Sequence, residues 1–182
     1  MINQKIYLIG EEFVKQTSSI MQNVDNQFIK MHIMESQNID IQQILGSTMY
    51  DNIINEFIAF KDSGDPISNI GSYVSATNLA LVNDYLKPII LYYTLYYSVY
   101  DMYNKFTNKG TVTQTSNNSE TTDFIYIEKM RKDYKQKAEN LVQIMIEFLI
   151  ENSTDYPLFK NLIDDCDTTS RTSYSLYLGK SI

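Results

Sequence analysis

Apolar residues recur along most of this chain at helical rather than strand spacing. Asp25 is a good N-cap residue, and Phe28, Ile29, His32 and Ile33 follow it, which predicts a helix to about Ser36. A turn at Asn38 then separates it from a second short helix over Ile39 to Leu45, ended by Gly46. Ser47 is placed to cap the next helix. There Tyr50, Ile53, Ile54, Phe57 and Ile58 fall at i, i+3, i+4, i+7 and i+8, one apolar face of an amphipathic helix. The turn residues Asp62 to Pro66 close it, and Ile67 to Thr77 reads as a loop.

Leu79 to Leu86 is again helical. Pro88 lacks an amide donor and crowds the preceding turn, so a kink or a fresh helix start is expected there, with helix continuing to about Phe106. The longest predicted helix runs from about Thr122 to Asn152. Its Phe124, Ile127, Tyr134, Ala138, Leu141, Met145 and Phe148 keep a 3-4 alternation broken only at Arg131. Such a seam needs a long partner, and the helix after Pro88 is the one available. The two are expected to form an antiparallel hairpin, with Ile89, Tyr93, Tyr96 and Tyr100 facing the seam. A last short helix is expected from Tyr156 to Ile163.

Three segments stand outside this pattern. Residues 1–24 have no clear period and read as an N-terminal arm, with Ile6, Leu8 and Phe13 as its anchors. Residues 107–122 are almost all Thr, Ser and Asn, too poor in apolar area to fold alone, and read as a mobile loop at the hairpin tip. Residues 164–182 read as an extended tail: an acidic lead, then Tyr174, Leu176 and Leu178 alternating with Ser173, Ser175 and Tyr177. With no strand partner evident elsewhere in the chain, the tail is expected to add to a sheet edge on a neighbouring protein. The fold class is therefore all-α: a helical bundle over residues 25–163 with a long antiparallel helix hairpin, a long polar loop and an extended C-terminal tail.

Composition narrows function by what it lacks. The one cysteine, Cys166, excludes a disulfide framework and a cysteine-built zinc site. The one histidine, His32, lies three residues from Glu35, but di-iron bundles need a second histidine and further glutamates. No nucleophile elbow and no glycine-rich phosphate loop is present. The expectation is a non-enzyme with no catalytic residue, no cofactor and no metal. A net charge of −7 disfavours a protein that grips phosphate backbones. The most apolar stretch, Ile89 to Tyr100, is too short to span a bilayer, and Met1 to Gly10 lacks the pattern of a signal peptide, so no membrane contact is expected.

Two features admit a bland and a sharp reading. Tyr92, Tyr93, Tyr96, Tyr97, Tyr100 and Tyr103 crowd one helix on more than one face. They belong either to a central helix buried on most sides or, for Tyr92, Tyr97 and Tyr103, to a subunit interface, since a tyrosine ring carries a polar tip. Lys129, Arg131, Lys132, Lys135 and Lys137 form a basic run, read either as a solvated helix face or as a nucleic-acid patch.

The order of motifs resembles a known family. Ile33-Met34-Glu35-Ser36-Gln37 ends an early helix, and Asp40-Ile41-Gln42-Gln43-Ile44-Leu45-Gly46 follows it. Then come Met49-Tyr50, Tyr85-Leu86-Lys87-Pro88 opening the aromatic helix, Asn108-Lys109-Gly110 leading the polar loop, and Tyr156-Pro157-Leu158-Phe159 after Glu151-Asn152. This resembles the helical head–tail connector, or adaptor, proteins of tailed bacteriophages, most closely the crAss-like phage type, over roughly residues 28–161. Ser36 stands where that pattern often has alanine. The resemblance implies a structural virion protein of the neck, made in the bacterial host cytoplasm. It implies a self-assembled, dodecameric ring between the portal protein and further neck or tail ring proteins, with genome DNA passing through without tight binding. Candidate contacts are Lys109, Gly110, Asn117 and Asn118 in the loop and Tyr174, Leu176, Tyr177 and Leu178 in the tail. The alternatives are another neck or tail-completion protein, or a small helical protein that binds a host component.

Overall fold

The computed structural model describes residues 6–20, 24–107, 110–113 and 124–160. The fold is all-α, with a small β-hairpin appended. In chain order it runs α1 (Glu11–Thr17), α2 (Asn26–Ser36), α3 (Gln42–Leu45), α4 (Ser47–Ser63), α5 (Ala76–Leu81), α6 (Lys87–Tyr103), β1 (Asn104–Thr107), β2 (Gly110–Thr113) and α7 (Phe124–Glu151). The central helix α6 packs against α7 on one side and α2 on another. Around it, Ile29, Ile33, Ile41, Ile53, Leu81, Leu86, Ile89, Ile90, Met145 and Leu149 form a core with almost no exposure.

Two π turns shape this bundle. Gln37–Ile41 joins α2 to α3, so the helix runs on where a turn at Asn38 was expected; the Gln42 amide reaches back five residues to Gln37 O. Asp25 does cap α2, its side chain accepting from the Gln27 amide at 2.9 Å. The second π turn, Val82–Leu86, joins α5 to α6, with the Lys87 amide on Val82 O. It stands where Pro88 was expected to disturb the helix. The extra residue in the turn accommodates a proline that neither donates nor fits the regular ladder.

Other expectations change in detail. Gly46, at φ 76°, both ends α3 and caps α4, so Ser47 is the first residue of α4 rather than its cap. Within the expected loop after Pro66, Ile67–Ser72 forms a 3-10 helix, and the Ser75 side chain caps α5 by accepting from the Asn78 amide at 3.3 Å. α6 ends at Tyr103 instead of about Phe106, and the chain turns into β1, whose Thr107 pairs with Gly110 of β2 across a two-residue connection. The polar loop thus begins as a strand pair, and the chain is not without a strand. β-branched threonines at 107, 111 and 113, which read as loop by polarity, suit a strand by shape. After α7, hydrogen-bonded turns carry the chain on; of the helix expected from Tyr156 to Ile163, residues 156–160 form a turn, with Phe159 packed on the core, and residues 161–163 lie outside the described residues.

The N-terminal segment is tied to the same core. Leu8, Ile9 and Val14 are buried, and α1 lies on α2 through Glu11–Lys30 (3.2 Å) and Lys15 Nζ to Asn26 Oδ1 (2.6 Å). The fully buried Gln37 side chain holds it further. Its Oε1 accepts from the Leu8 amide at 2.8 Å, and its Nε2 donates to Ile6 O at 3.1 Å.

The helix hairpin is antiparallel, as the seam requires. Tyr85 stacks on Phe148, Tyr92 lies by Tyr134, and Arg131 covers Tyr96 and Tyr100, so positions advance along α7 as they recede along α6. Ile127, Ala138 and Met145 of the seam are buried, and Tyr134, Leu141 and Phe148 are partly so. Phe124 is 46% exposed, outside the seam it was assigned to, and Leu149, unassigned, is fully buried.

Candidate functional site

The first π turn swings Asp40 toward α6, where the Tyr97 hydroxyl donates to Asp40 Oδ2 at 3.0 Å. Burial pushes the Asp40 carboxyl up to about 6, against the stabilising bond from Tyr97 and the charge of Lys135; the Glu35 carboxylate adds to the rise. The Tyr97 phenol is raised too, first by burial and then by Asp40. One turn away, His32 is 1% exposed, with Nδ1 3.0 Å from Glu35 Oε2 and Nε2 3.5 Å from Asp101 Oδ2. The second contact is not a formed hydrogen bond, and Nε2 is buried without one among the described residues. The Phe28 ring meets His32 edge-on at 4.7 Å. This cluster links α2, α6 and α7. It is a locking arrangement of polar groups, and among the described residues no three His, Cys, Asp or Glu side chains are arranged to hold a metal.

Further along α6 the tyrosines and the basic run meet. The Arg131 guanidinium sits 4.6 Å over Tyr96 and 5.1 Å over Tyr100, donates to Tyr96 O, and pairs with Glu128 at 3.0 Å. Lys135 pairs with Glu139 at 3.7 Å and Lys137 with Asp133 at 2.8 Å, while Lys137 also lies 5.9 Å over Tyr92. Three of the five cations are therefore matched by acids one turn away on α7, the arrangement of a solvated helix face. Arg131 is not a gap in the seam: its planar cation covers the tyrosine faces where an apolar residue was expected.

At the far end of the same helix pair several large apolar side chains are exposed. Ile125 is 71% and Tyr126 64% exposed, and Phe124, Met130 and Tyr100 are exposed beside them. α7 thus carries an apolar inner face on α6 and further, exposed apolar side chains at its start.

Of the residues singled out as interface candidates, Tyr92 and Tyr97 are half-buried and engaged within the chain, Tyr92 by Tyr134 and Lys137, Tyr97 by Asp40. The Tyr103 side chain, Lys109, Asn117, Asn118 and all of Tyr174, Leu176, Tyr177 and Leu178 lie outside the described residues; Gly110 opens β2. Sequence reasoning missed Gln37 and Asp40. Gln37 had a signal: Ile29, Ile33, Gln37 and Ile41 are spaced by four, so one polar residue interrupts a buried stripe.

The family model of DUF6712, a family of unknown function, matches residues 41–168, most of the chain. The protein belongs to this family. The matched span begins at Ile41, the last residue of the first π turn, and holds α3 to α7, so the helix pair and its exposed end are family territory, while Gln37 and Asp40 lie just before it. No curated protein and no solved structure matches the chain. Among the described residues no helix is long and apolar enough to cross a membrane.

Proposed function

We propose that this DUF6712 protein is a structural subunit of the neck of a tailed bacteriophage, an adaptor that closes into a ring between the portal and the tail and continues the DNA channel. The motif order from Ile33 to Phe159 supports the reading. The structural observation that carries it is the exposed apolar end of α6 and α7, where Ile125, Tyr126, Phe124 and Met130 cluster within seven residues. Single exposed apolar residues are ordinary, but four within one stretch of helix suit a surface that another protein covers. An acidic chain suits a conduit, since like charge keeps DNA sliding rather than bound.

A head-to-tail contact between copies generates a closed ring when its rotation divides a full turn. Purified protein mixed with its portal, viewed by negative-stain electron microscopy, is expected to add a ring with the portal's symmetry. A protein that stays monomeric and leaves the portal unchanged would overturn the reading.

A further inference from the structure

We infer that the C-terminal tail of this chain, residues 173–178, docks as an added strand in a groove on the same chain. The groove is an open apolar cavity of about 560 Å³, away from the Asp40 cluster. Phe57 and Phe60 of α4, Ile67 and Ile70 of the 3-10 helix, and Leu79 of α5 form its walls, and the N-terminal segment Ile6–Leu8 forms another side. Ile67 is 72% exposed, an apolar side chain in need of a cover.

Ile6–Leu8 also offers a backbone edge. The Gln37 amide takes Ile6 O and the Leu8 N–H together, as one residue of a parallel strand would. In that bonding pattern the Tyr7 N–H and C=O face away from Gln37, just before the chain bends at Leu8 and Ile9. Among the described residues nothing hydrogen-bonds to the Tyr7 peptide. A groove with apolar walls and an open strand edge fits a peptide that alternates apolar and small polar residues. The sequence Ser173-Tyr174-Ser175-Leu176-Tyr177-Leu178 has that alternation.

Charge and reach select this occupant. Lys61 and Lys87 line the groove, and the tail's lead carries Asp164, Asp165 and Asp167. The described chain ends at Lys160, four residues after Tyr156, whose hydroxyl donates at 3.0 Å to Thr77 O of α5, the helix whose Leu79 lines the groove. Residues 161–172 span up to about 40 Å when extended, a reach comparable to the width of a domain of this size. A short tether also gives the chain's own tail a millimolar effective concentration, ahead of the tail of another copy.

Two experiments on the full-length chain test this. In a Cys166→Ser background, Ile67→Cys with Leu176→Cys is expected to form a disulfide within the monomer at least tenfold faster than a control pairing Leu176→Cys with Ile144→Cys on the exposed face of α7. Equal rates would overturn the proposal, as would bridges formed only between chains, which would give the groove to a second copy's tail. Separately, a labelled peptide of residues 170–182 is titrated into wild type and into the Leu176→Asp/Leu178→Asp chain, helical content being checked for both. The variant is expected to bind the peptide at least tenfold more tightly, because its groove is vacated. Equal binding to both chains, or binding to neither, would overturn the inference.

Discussion

The Tyr97 hydroxyl, on α6, donates to Asp40 in the π turn after α2, across 57 positions of sequence. The bond fastens the irregular part of one helix to the most buried helix of the bundle. It also holds a carboxyl group where burial disfavours its charge.

That carboxyl makes stability depend on pH. The folded Asp40 titrates at about 6 against an ordinary 3.8, so the folded state holds its proton more tightly than the unfolded chain. Protonation there favours folding below 3.8, and the advantage is lost as pH rises through 6. Asp40→Asn, which keeps an acceptor for Tyr97, is expected to raise the midpoint of thermal unfolding at pH 7.5 by the equivalent of roughly 1–2 kcal/mol, discounted for partial solvent exposure. The gain is expected to shrink between pH 6 and 4. A gain of equal size at pH 4 and 7.5 would show that the charge is not the cause.

Gln37 provides a second check. Its amide satisfies two backbone groups of the buried N-terminal segment at once, on Leu8 and Ile6. Gln37→Ala is expected to cost roughly 2–4 kcal/mol in urea unfolding, since each orphaned buried group costs about 1–3 kcal/mol. Hydrogen exchange is expected to speed up at residues 6–9 ahead of the helix hairpin. Unchanged exchange there would mean that the segment is held by its apolar contacts alone.

Core packing along α7 discriminates positions that the heptad pattern treats alike. Met145 and Leu149 have no exposure, whereas Leu141 is only partly buried. Leu149→Ala is expected to cost about 2–5 kcal/mol and Leu141→Ala clearly less. Chemical denaturation of the two variants orders them, and equal losses would place the seam one position away from where it lies.

The helix hairpin was legible because its pattern is long. Six of the seven seam positions assigned to α7 pack inward, which outweighs any local ambiguity, and Tyr85, Tyr92 and Tyr96 meet α7 in the order an antiparallel pair demands. The irregular sites were not legible, for three separate reasons. A π turn adds one residue to a helical ladder without any demanding side chain, so the sequence predicts a turn at Asn38 and a fresh helix from Ile39 where one helix runs on. Threonine is polar by composition but β-forming by shape, which hides β2 inside a polar loop, while β1 reads as the end of the helix after Pro88. Asp40 and Tyr97 owe their meeting to tertiary packing, and no local spacing announces it. Only Gln37, a polar residue in a stripe of isoleucines, was announced in the sequence.

The exposed end of α6 and α7 separates assembly from folding. Ile125 and Tyr126 are 71% and 64% exposed, so neither contributes much to the chain's own core. Ile125→Asp with Tyr126→Ser is therefore expected to shift the unfolding midpoint by no more than about 0.5 kcal/mol, the usual range for surface changes. Burying the same patch against another protein removes apolar area worth roughly 25 cal/mol per Å², and a charge placed there leaves an ion desolvated without a partner. The double variant is expected to lose ring formation on the portal while staying folded and monomeric. Lys132→Glu, on the solvated face of the same helix, is expected to assemble as wild type does. Sedimentation or mass photometry of the three proteins with the portal reads the difference. If the apolar double variant assembled as well as the lysine variant, this end of the hairpin would not be the contact that closes the ring.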